Sequence, residues 1–356
     1  MANVVHILFS GLGGTTEYVK NLIKGDKQRI NNYHIVFFGK EQINSDIVKE
    51  FESELNITPR FILKNGRVGF NSLRNLKAEL KFKENAKIVL HVNSLILPLF
   101  LMRKAKDVVF VEHQANHLKS KKEKLWSKMA QKHCFKVVSF TQKYFDDLKS
   151  LVGEKTFKTS KNVIVPTGID LERYRVASRK SNPTNQVKFG IISRINGFRD
   201  HTTLLEAFEL IESEGDVSLY IAGEGDLKDQ LMIKYQENKN IHWKGYLNQD
   251  DIVVFLNSLD CYVIASHGES NSIALMQAQA TGLPIIATKV NGISDVLNEE
   301  DCIFVQPTKR EEYRRALISM LQKDVRENYT KKSVEFADLN LDHIKMFNGY
   351  QKILNQ

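Results

Sequence analysis

Short apolar runs of four to seven residues alternate with longer segments whose apolar positions recur at helical spacing, and this alternation holds along the whole chain. Such a pattern predicts βαβ units and parallel sheets rather than bundles or sandwiches. In the first half the runs at 4–9, 34–38, 88–91, 108–112, 136–140 and 162–165 read as strands. After a polar stretch at 173–186 a second series begins, at 187–192, 217–222, 241–243, 261–265, 284–287 and 302–305, with helices at 202–212, 227–237 and 251–258. The pattern therefore predicts two doubly wound sheets: a domain over 1–166, a domain over 167–324 whose first residues, to about 186, form the linker, and a helical segment over 325–356. That last segment reads as one long helix, of a length that lets it cross back to the first domain. No internal repeat relates the halves in sequence. Two such domains face each other across a cleft, and ligands of open parallel sheets bind at the carboxyl ends of the strands.

Composition narrows the class. The 356 residues are 42% hydrophobic and 26% charged, with 6 prolines and 19 glycines, which excludes a disordered or collagen-like chain. The N-terminus lacks the basic and apolar regions of a signal peptide and reads as a first strand. The longest apolar stretch, 88–102, holds His91, Asn93 and Pro98 and is too short for a membrane span. Cys134, Cys261 and Cys302 are widely spaced, which fits a reducing cytoplasm and no zinc site. The net charge of +9 is uneven: residues 1–165 hold 29 Lys and Arg against 15 Asp and Glu, the remainder 22 against 27. The first half is thus expected to meet something anionic.

Candidate chemistry lies in loops after strands. Gly11, Leu12, Gly13 and Gly14 follow the first strand and open a helix, where backbone N–H groups could receive a phosphate or a sugar; a tight strand-to-helix turn explains the same glycines. The run is neither G-x-G-x-x-G nor a P-loop, and the second strand ends in Phe38-Gly39-Lys40 without an acid well placed for a ribose, which disfavours dehydrogenases. In the second half, Arg194 and Arg199 flank a turn in a spacing suited to a diphosphate. Gly223 and Tyr246 belong to loops after the next two strands. Glu269 follows a further strand, and Asn271 or Ser272 caps a helix beginning near Ile273, with Gln277 just over one turn in. Alone, Glu269 would be an ordinary solvated carboxylate; its neighbours give it a ligand.

These blocks resemble, in order and spacing, the signature of the retaining glycosyltransferases of family 4 (glycosyl transferases group 1), which have the GT-B fold. The resemblance runs through Pro166–Asp170, the Ser193-Arg194 loop, Gly223-Glu224-Gly225 and Glu269 to Pro284, with 278–284 its most specific string. It implies that the second domain binds a nucleotide-diphosphate sugar and the first an acceptor. It assigns Arg194 and Arg199 to the phosphates and Glu269 to the first glutamate of the family's Glu-x7-Glu motif, with Gly13, Gly14, Gly223, Tyr246, Asn271, Ser272 and Ile273 around the donor. The second glutamate, which in the family holds the ribose hydroxyls, is Gln277 here. The glycines expected after Glu269 are Ser270, Asn271 and Ser272, and Thr167 replaces an asparagine, so the chain is a divergent member. His113, at the end of the strand 108–112, corresponds to the family residue facing the transferred sugar; a structural strand-end histidine is the alternative.

The sequence thus implies a hexosyltransferase that moves a sugar from a nucleotide-diphosphate donor, UDP-sugars favoured, to a hydroxyl of a glycan or lipid-linked glycan of bacterial polysaccharide assembly. No Asp-x-Asp motif is present, so neither metal nor cofactor is expected, and leaving-group charge would fall to Arg194, Arg199 and the helix N-terminus. Lys119, Lys121, Lys122, Lys124 and Lys128, with Trp126, form a basic apolar segment suited to an anionic membrane or to the acceptor; a helix packed on the sheet with a solvated lysine face fits equally. A cytoplasmic protein peripheral to the inner face of the membrane is expected. The rival reading is a catalytically weak GT-B subunit supporting another transferase, motivated by Gln277. Nucleic-acid binding ranks last, for want of any recognisable module.

Overall fold

The computed structural model describes residues 2–9, 14–40, 42–63, 70–81, 86–175 and 186–356. It divides into two compact units, Met1–Gly168 with His343–Gln356, and Ile169–Asp342. Gly13, and residues 176–185 of the expected linker, lie outside the described residues.

The first unit is built on seven parallel strands: β1 (Ala2–Phe9), β2 (Asn31–Gly39), β3 (Arg60–Leu63), β4 (Lys87–Leu90), β5 (Val108–Val111), β6 (Lys136–Ser139) and β7 (Asn162–Ile164). Their order is β3-β2-β1-β4-β5-β6-β7, so the direction of winding reverses between β1 and β4. Helices α1 (Gly14–Lys24), α2 (Ser45–Leu55), α3 (Phe70–Lys81), α4 (Ile96–Leu101), α5 (Lys121–His133) and α6 (Gln142–Val152) lie between the strands in sequence. Alternate residues of a strand face opposite sides of the sheet. Val5 and Ile7 of β1 join the core that also holds Val36, Leu90, Phe110, Ala130 and Leu148, while Val4, His6 and Leu8, equally buried, take the other face. Burial on both faces is why these strands read as nearly continuous apolar runs. β3 escaped the sequence reading because it is an edge strand in which Ile62 alone is buried.

The second unit has six strands: β8 (Val187–Ile192), β9 (Val217–Ala222), β10 (Ile241–Gly245), β11 (Cys261–Ile264), β12 (Ile285–Thr288) and β13 (Ile303–Val305), in the order β10-β9-β8-β11-β12-β13. The winding reverses between β8 and β11. Its helices are α7 (Leu171–Tyr174), α8 (His201–Glu209), α9 (Lys228–Lys234), α10 (Gln249–Asn257), α11 (Ile273–Ala280), α12 (Arg310–Ser319) and α13 (Lys323–Asn340). Phe189, Ile191, Leu204, Phe208, Leu219, Val263 and Leu317 anchor its core.

The expected single C-terminal helix is two. α13 ends at Asn340 and α14 (His343–Leu354) follows, because the backbone between them is used elsewhere: Leu341 O accepts the Ile169 N–H at 2.7 Å and Asp342 forms a β-bridge with Ile169. α14 belongs to the first unit. Tyr350 on it hydrogen-bonds Tyr18 of α1 at 2.7 Å, and Gln351 Oε1 accepts the Asn31 side-chain amide at 2.7 Å.

Candidate functional site

In an open parallel sheet the loops on either side of the reversal point splay apart and leave a crevice at the carboxyl ends of the strands. In the second unit those are the loops after β8 and β11, and they are stitched together. Asp200 N–H donates to Ala265 O at 3.1 Å, His267 N–H to Phe198 O at 3.1 Å, and Arg199 forms a β-bridge with Ser266. This pairing fixes the Arg199 side chain, whose guanidinium donates to Ser266 Oγ at 2.6 Å and forms an ion pair with Glu269. Both partners of the pair are mostly buried, and Ser266 is wholly so.

Glu269 is held from behind. Its N–H donates to Asn291 O at 3.1 Å, and a Cβ on Gly292, which sits at φ +89°, would lie 2.0 Å from the Glu269 carbonyl oxygen. Only glycine permits that approach. Three residues on, Ser272 caps α11, its Oγ accepting the Leu275 N–H at 3.4 Å, which leaves the first N–H groups of this helix beside the Glu269 loop. Asn271 and Ser272 are half-buried and Ile273 is buried.

Gly223 continues the same edge. At φ +132° it lets the loop after β9 approach the loop after β8 so closely that a Cβ would meet Ser193 O at 1.9 Å, and its N–H donates to Gly245 O at 2.7 Å, next to exposed Tyr246. Arg194 is exposed in the loop directly after β8. Gln277, 2% exposed, donates its amide to Tyr174 Oη at 2.8 Å and to Gln249 Oε1 at 3.1 Å. Its own Oε1 makes no hydrogen bond among the described residues, so the amide can still accept from a hydroxyl.

Sequence reasoning therefore named Arg199 and Glu269 without foreseeing that they meet, and it missed the residues that make them meet. Ser266 received no role. The Asn291-Gly292 pair is a turn signal that went unread. His201, buried in α8 and bonded through Nε2 to Ser193 Oγ at 3.0 Å, was also overlooked; burial, then the nearby Arg199 charge, lowers its pKa to about 4.

In the first unit, Gly14 is exposed at the start of α1 and His113 follows the carboxyl end of β5, half-buried. The basic segment needs correcting at Lys119. Lys119 is not on the helix and is buried: its ammonium donates to Glu112 at 2.6 Å, Asn116 at 2.9 Å and Ser127 at 3.0 Å. Trp126 is half-buried and packs partly against the core. α5 itself starts at Lys121 behind a capping box of Ser120 and Glu123, and exposes Lys121, Lys122, Lys124 and Lys128. Among the described residues no cluster of three or more His, Cys, Asp or Glu is placed to hold a metal ion, and no helix is long and apolar enough to cross a membrane.

Two Rossmann-like parallel sheets with these loops define the GT-B class of folds, and the structural comparison agrees. The crystal structure of Anabaena Alr3699/HepE in complex with UDP and glucose superimposes with a TM-score of 0.80 over 100% of both chains, at 13% identity. Residues 175–336 match the family described as glycosyl transferases group 1. That domain, somewhat less than half of the chain, is similar to the group 1 glycosyltransferases. Among curated relatives, the UDP-Gal:alpha-D-GlcNAc-diphosphoundecaprenol alpha-1,3-galactosyltransferase of Escherichia coli is 26% identical over 187 residues, 49% of this chain and 48% of that protein. Protein CapJ of Staphylococcus aureus is 25% identical over 242 residues, 64% of this chain and 59% of CapJ. The chain thus spans about half the length of the curated relatives it matches.

Proposed function

We propose that this protein transfers a hexose from a nucleotide-diphosphate sugar, UDP-sugars favoured, to a hydroxyl of a glycan acceptor, with retention of anomeric configuration and without a metal. The observation that carries the reading is the Arg199–Glu269 ion pair at the reversal point of the second sheet, inside the domain that matches the group 1 glycosyltransferases. The two groups have complementary tasks. A diphosphate leaving group gains negative charge as the glycosidic bond breaks, and fixed cationic donors stabilise that charge most in the transition state. Arg199, Arg194 and the N-terminus of α11 supply them. Glu269, released from Arg199 by the phosphates, accepts hydrogen bonds from the sugar hydroxyls and orients the ring. Gln277 Oε1 is the acceptor for a ribose hydroxyl.

A lipid-linked acceptor of bacterial surface-polysaccharide assembly fits two further observations. The E. coli relative is named for a diphosphoundecaprenol substrate. In the first unit, α4 and α5 are neighbours and expose Leu97, Phe100, Leu101 and Leu125 beside Lys121, Lys122, Lys124 and Lys128. Apolar side chains with a lysine fringe suit the interface of an anionic membrane, which supports a peripheral location on the cytoplasmic face. The test is time-resolved proton NMR of the purified protein with a panel of nucleotide sugars. Release of nucleoside diphosphate with a sugar product of the donor's anomeric configuration supports the reading, and an inverted product contradicts it. Nucleotide-sugar binding without turnover would favour a GT-B subunit supporting another transferase, a reading motivated by Gln277 in place of the family glutamate.

A further inference from the structure

Three histidines at three neighbouring strands of the first unit, one within its strand and two just after theirs, form a continuous chain. His6 lies within β1, His91 follows β4 and His113 follows β5, and these strands are consecutive in the sheet. His6 Nδ1 lies 3.1 Å from His91 Nε2, and His91 Nδ1 lies 2.7 Å from His113 Nε2. The rings stand 5.4 Å and 5.0 Å apart between centroids. The His91 backbone N–H is fixed to Ile7 O at 2.9 Å, and Tyr18 packs edge-on against both His91 and His113. The nitrogens face one another in pairs instead of converging on a point, so the arrangement is a wire and not a metal site.

Each nitrogen pair shares one proton, so a neutral chain has only two consistent arrangements, and one choice at His6 sets the rest. Buried His6 Nε2 has no hydrogen-bond partner among the described residues. A proton there would be a buried N–H donor without an acceptor, the rarer and costlier kind of orphan; a lone pair there is better tolerated. With the lone pair at Nε2, His6 carries its proton on Nδ1 and donates to His91. His91 then carries its own on Nδ1 and donates to His113 Nε2. His113 is left with its proton on Nδ1, a nitrogen that makes no hydrogen bond among the described residues.

We propose that His6 and His91 are positioning residues that hold His113 as the Nδ1–H tautomer, so that it meets a ligand oxygen as a hydrogen-bond donor and cannot serve as the general base. The role of His113 towards a sugar or acceptor hydroxyl rests on the function proposed above; the tautomer does not. Neutrality of the chain is consistent with its surroundings, since the rings contact Tyr18, Tyr33 and Phe140 and burial lowers the pKa of both His6 and His113 to about 3.

The test is long-range proton–nitrogen correlation NMR of the full chain labelled with ¹⁵N-histidine near pH 7, with resonances assigned by single histidine substitutions. All three histidines neutral and protonated on Nδ1 is the expected result; protonation of His113 on Nε2 overturns the proposal whether or not any donor is turned over. His6→Phe, which keeps a ring but donates nothing, should release His113 to a mixture of tautomers and lower kcat by about 10-fold or more with little change in donor KM. His6→Asn, whose amide can replace the Nδ1 donor, should restore both. An unchanged His113 tautomer in a folded His6→Phe protein refutes the coupling, and if that variant does not fold the wild-type spectrum still decides.

Discussion

Arg199 and Glu269 neutralise one another, with Ser266 Oγ as a third partner of the guanidinium. On the function proposed above, a site that keeps its phosphate-binding cation on its sugar-binding carboxylate holds both groups in place without leaving a half-buried charge uncompensated. Donor binding then exchanges one set of charge-assisted contacts for another. Arg199→Ala and Glu269→Gln should each lower turnover by about 100-fold or more. Combined, they should lose clearly less than the product of the two, because each single variant strands the other's charge. Additive losses in steady-state kinetics would show that the pair does not act as a unit. Exposed Arg194 should behave differently: Arg194→Ala should lose turnover on the same scale with an unchanged melting temperature.

Gln277 has two tasks that separate experimentally. Its amide holds Tyr174 and Gln249 together from a buried position, and in the function proposed above its Oε1 accepts from the nucleotide. Gln277→Ala should therefore lower the melting temperature and also weaken nucleotide binding by about 0.5 to 1.5 kcal/mol, the net worth of a neutral hydrogen bond. Calorimetric affinity equal to wild type would remove Gln277 from the donor site and leave it a structural residue.

Lys119 and the lysines of α5 should part company. Lys119→Met leaves Glu112 as a buried, unpaired carboxylate, a change worth about 3 to 5 kcal/mol of stability. Replacing Lys121, Lys122, Lys124 and Lys128 together by glutamine should leave chemical denaturation almost unchanged while abolishing salt-sensitive sedimentation with anionic vesicles. Equal sedimentation of this variant and wild type would dismiss the lysine face as a membrane contact.

Most of the fold was legible because both sheets are buried on two faces, and buried parallel strands announce themselves as apolar runs. β8 and β9 were placed to the residue, whereas the edge strand β3, with one buried side chain, gave no run to see. Of the candidate site, sequence supplied the charged residues. It could not supply their contacts, since Arg199 meets Glu269 only through the pairing of two loops 67 residues apart at Arg199 and Ser266. Lys119 was misread for a related reason: its partner Glu112 directly follows β5, outside the helix that the lysines were assigned to. The histidine wire is invisible in one dimension, although a histidine inside the apolar run 4–9 was its one local trace.

The buried histidines make the protein sensitive to acid. Burial lowers the pKa of His6 and His113 to about 3 and that of His201 to about 4, and places His91 well below its ordinary value. Unfolded chains take up these protons near pH 6.5. Below that the unfolded state binds more protons than the native one, so the stability these groups contribute is full above about pH 6.5 and is lost progressively as pH falls towards 3. Urea denaturation across that range should show the midpoint falling with pH, less steeply in a folded His6→Phe protein. Identical pH slopes for wild type and variant would mean that His6 is not held neutral.

The central claim, that the loops after β8 and β11 bind a nucleotide-diphosphate sugar through Arg199 and Glu269, is tested most directly by calorimetric titration of the full chain with a panel of nucleoside-diphosphate sugars. The expected result is saturable binding of at least one member, UDP-sugars first, weakened by about 10-fold or more in Arg199→Ala, as loss of a charge-assisted contact requires. No binding by any member, or equal binding by wild type and Arg199→Ala, would contradict it.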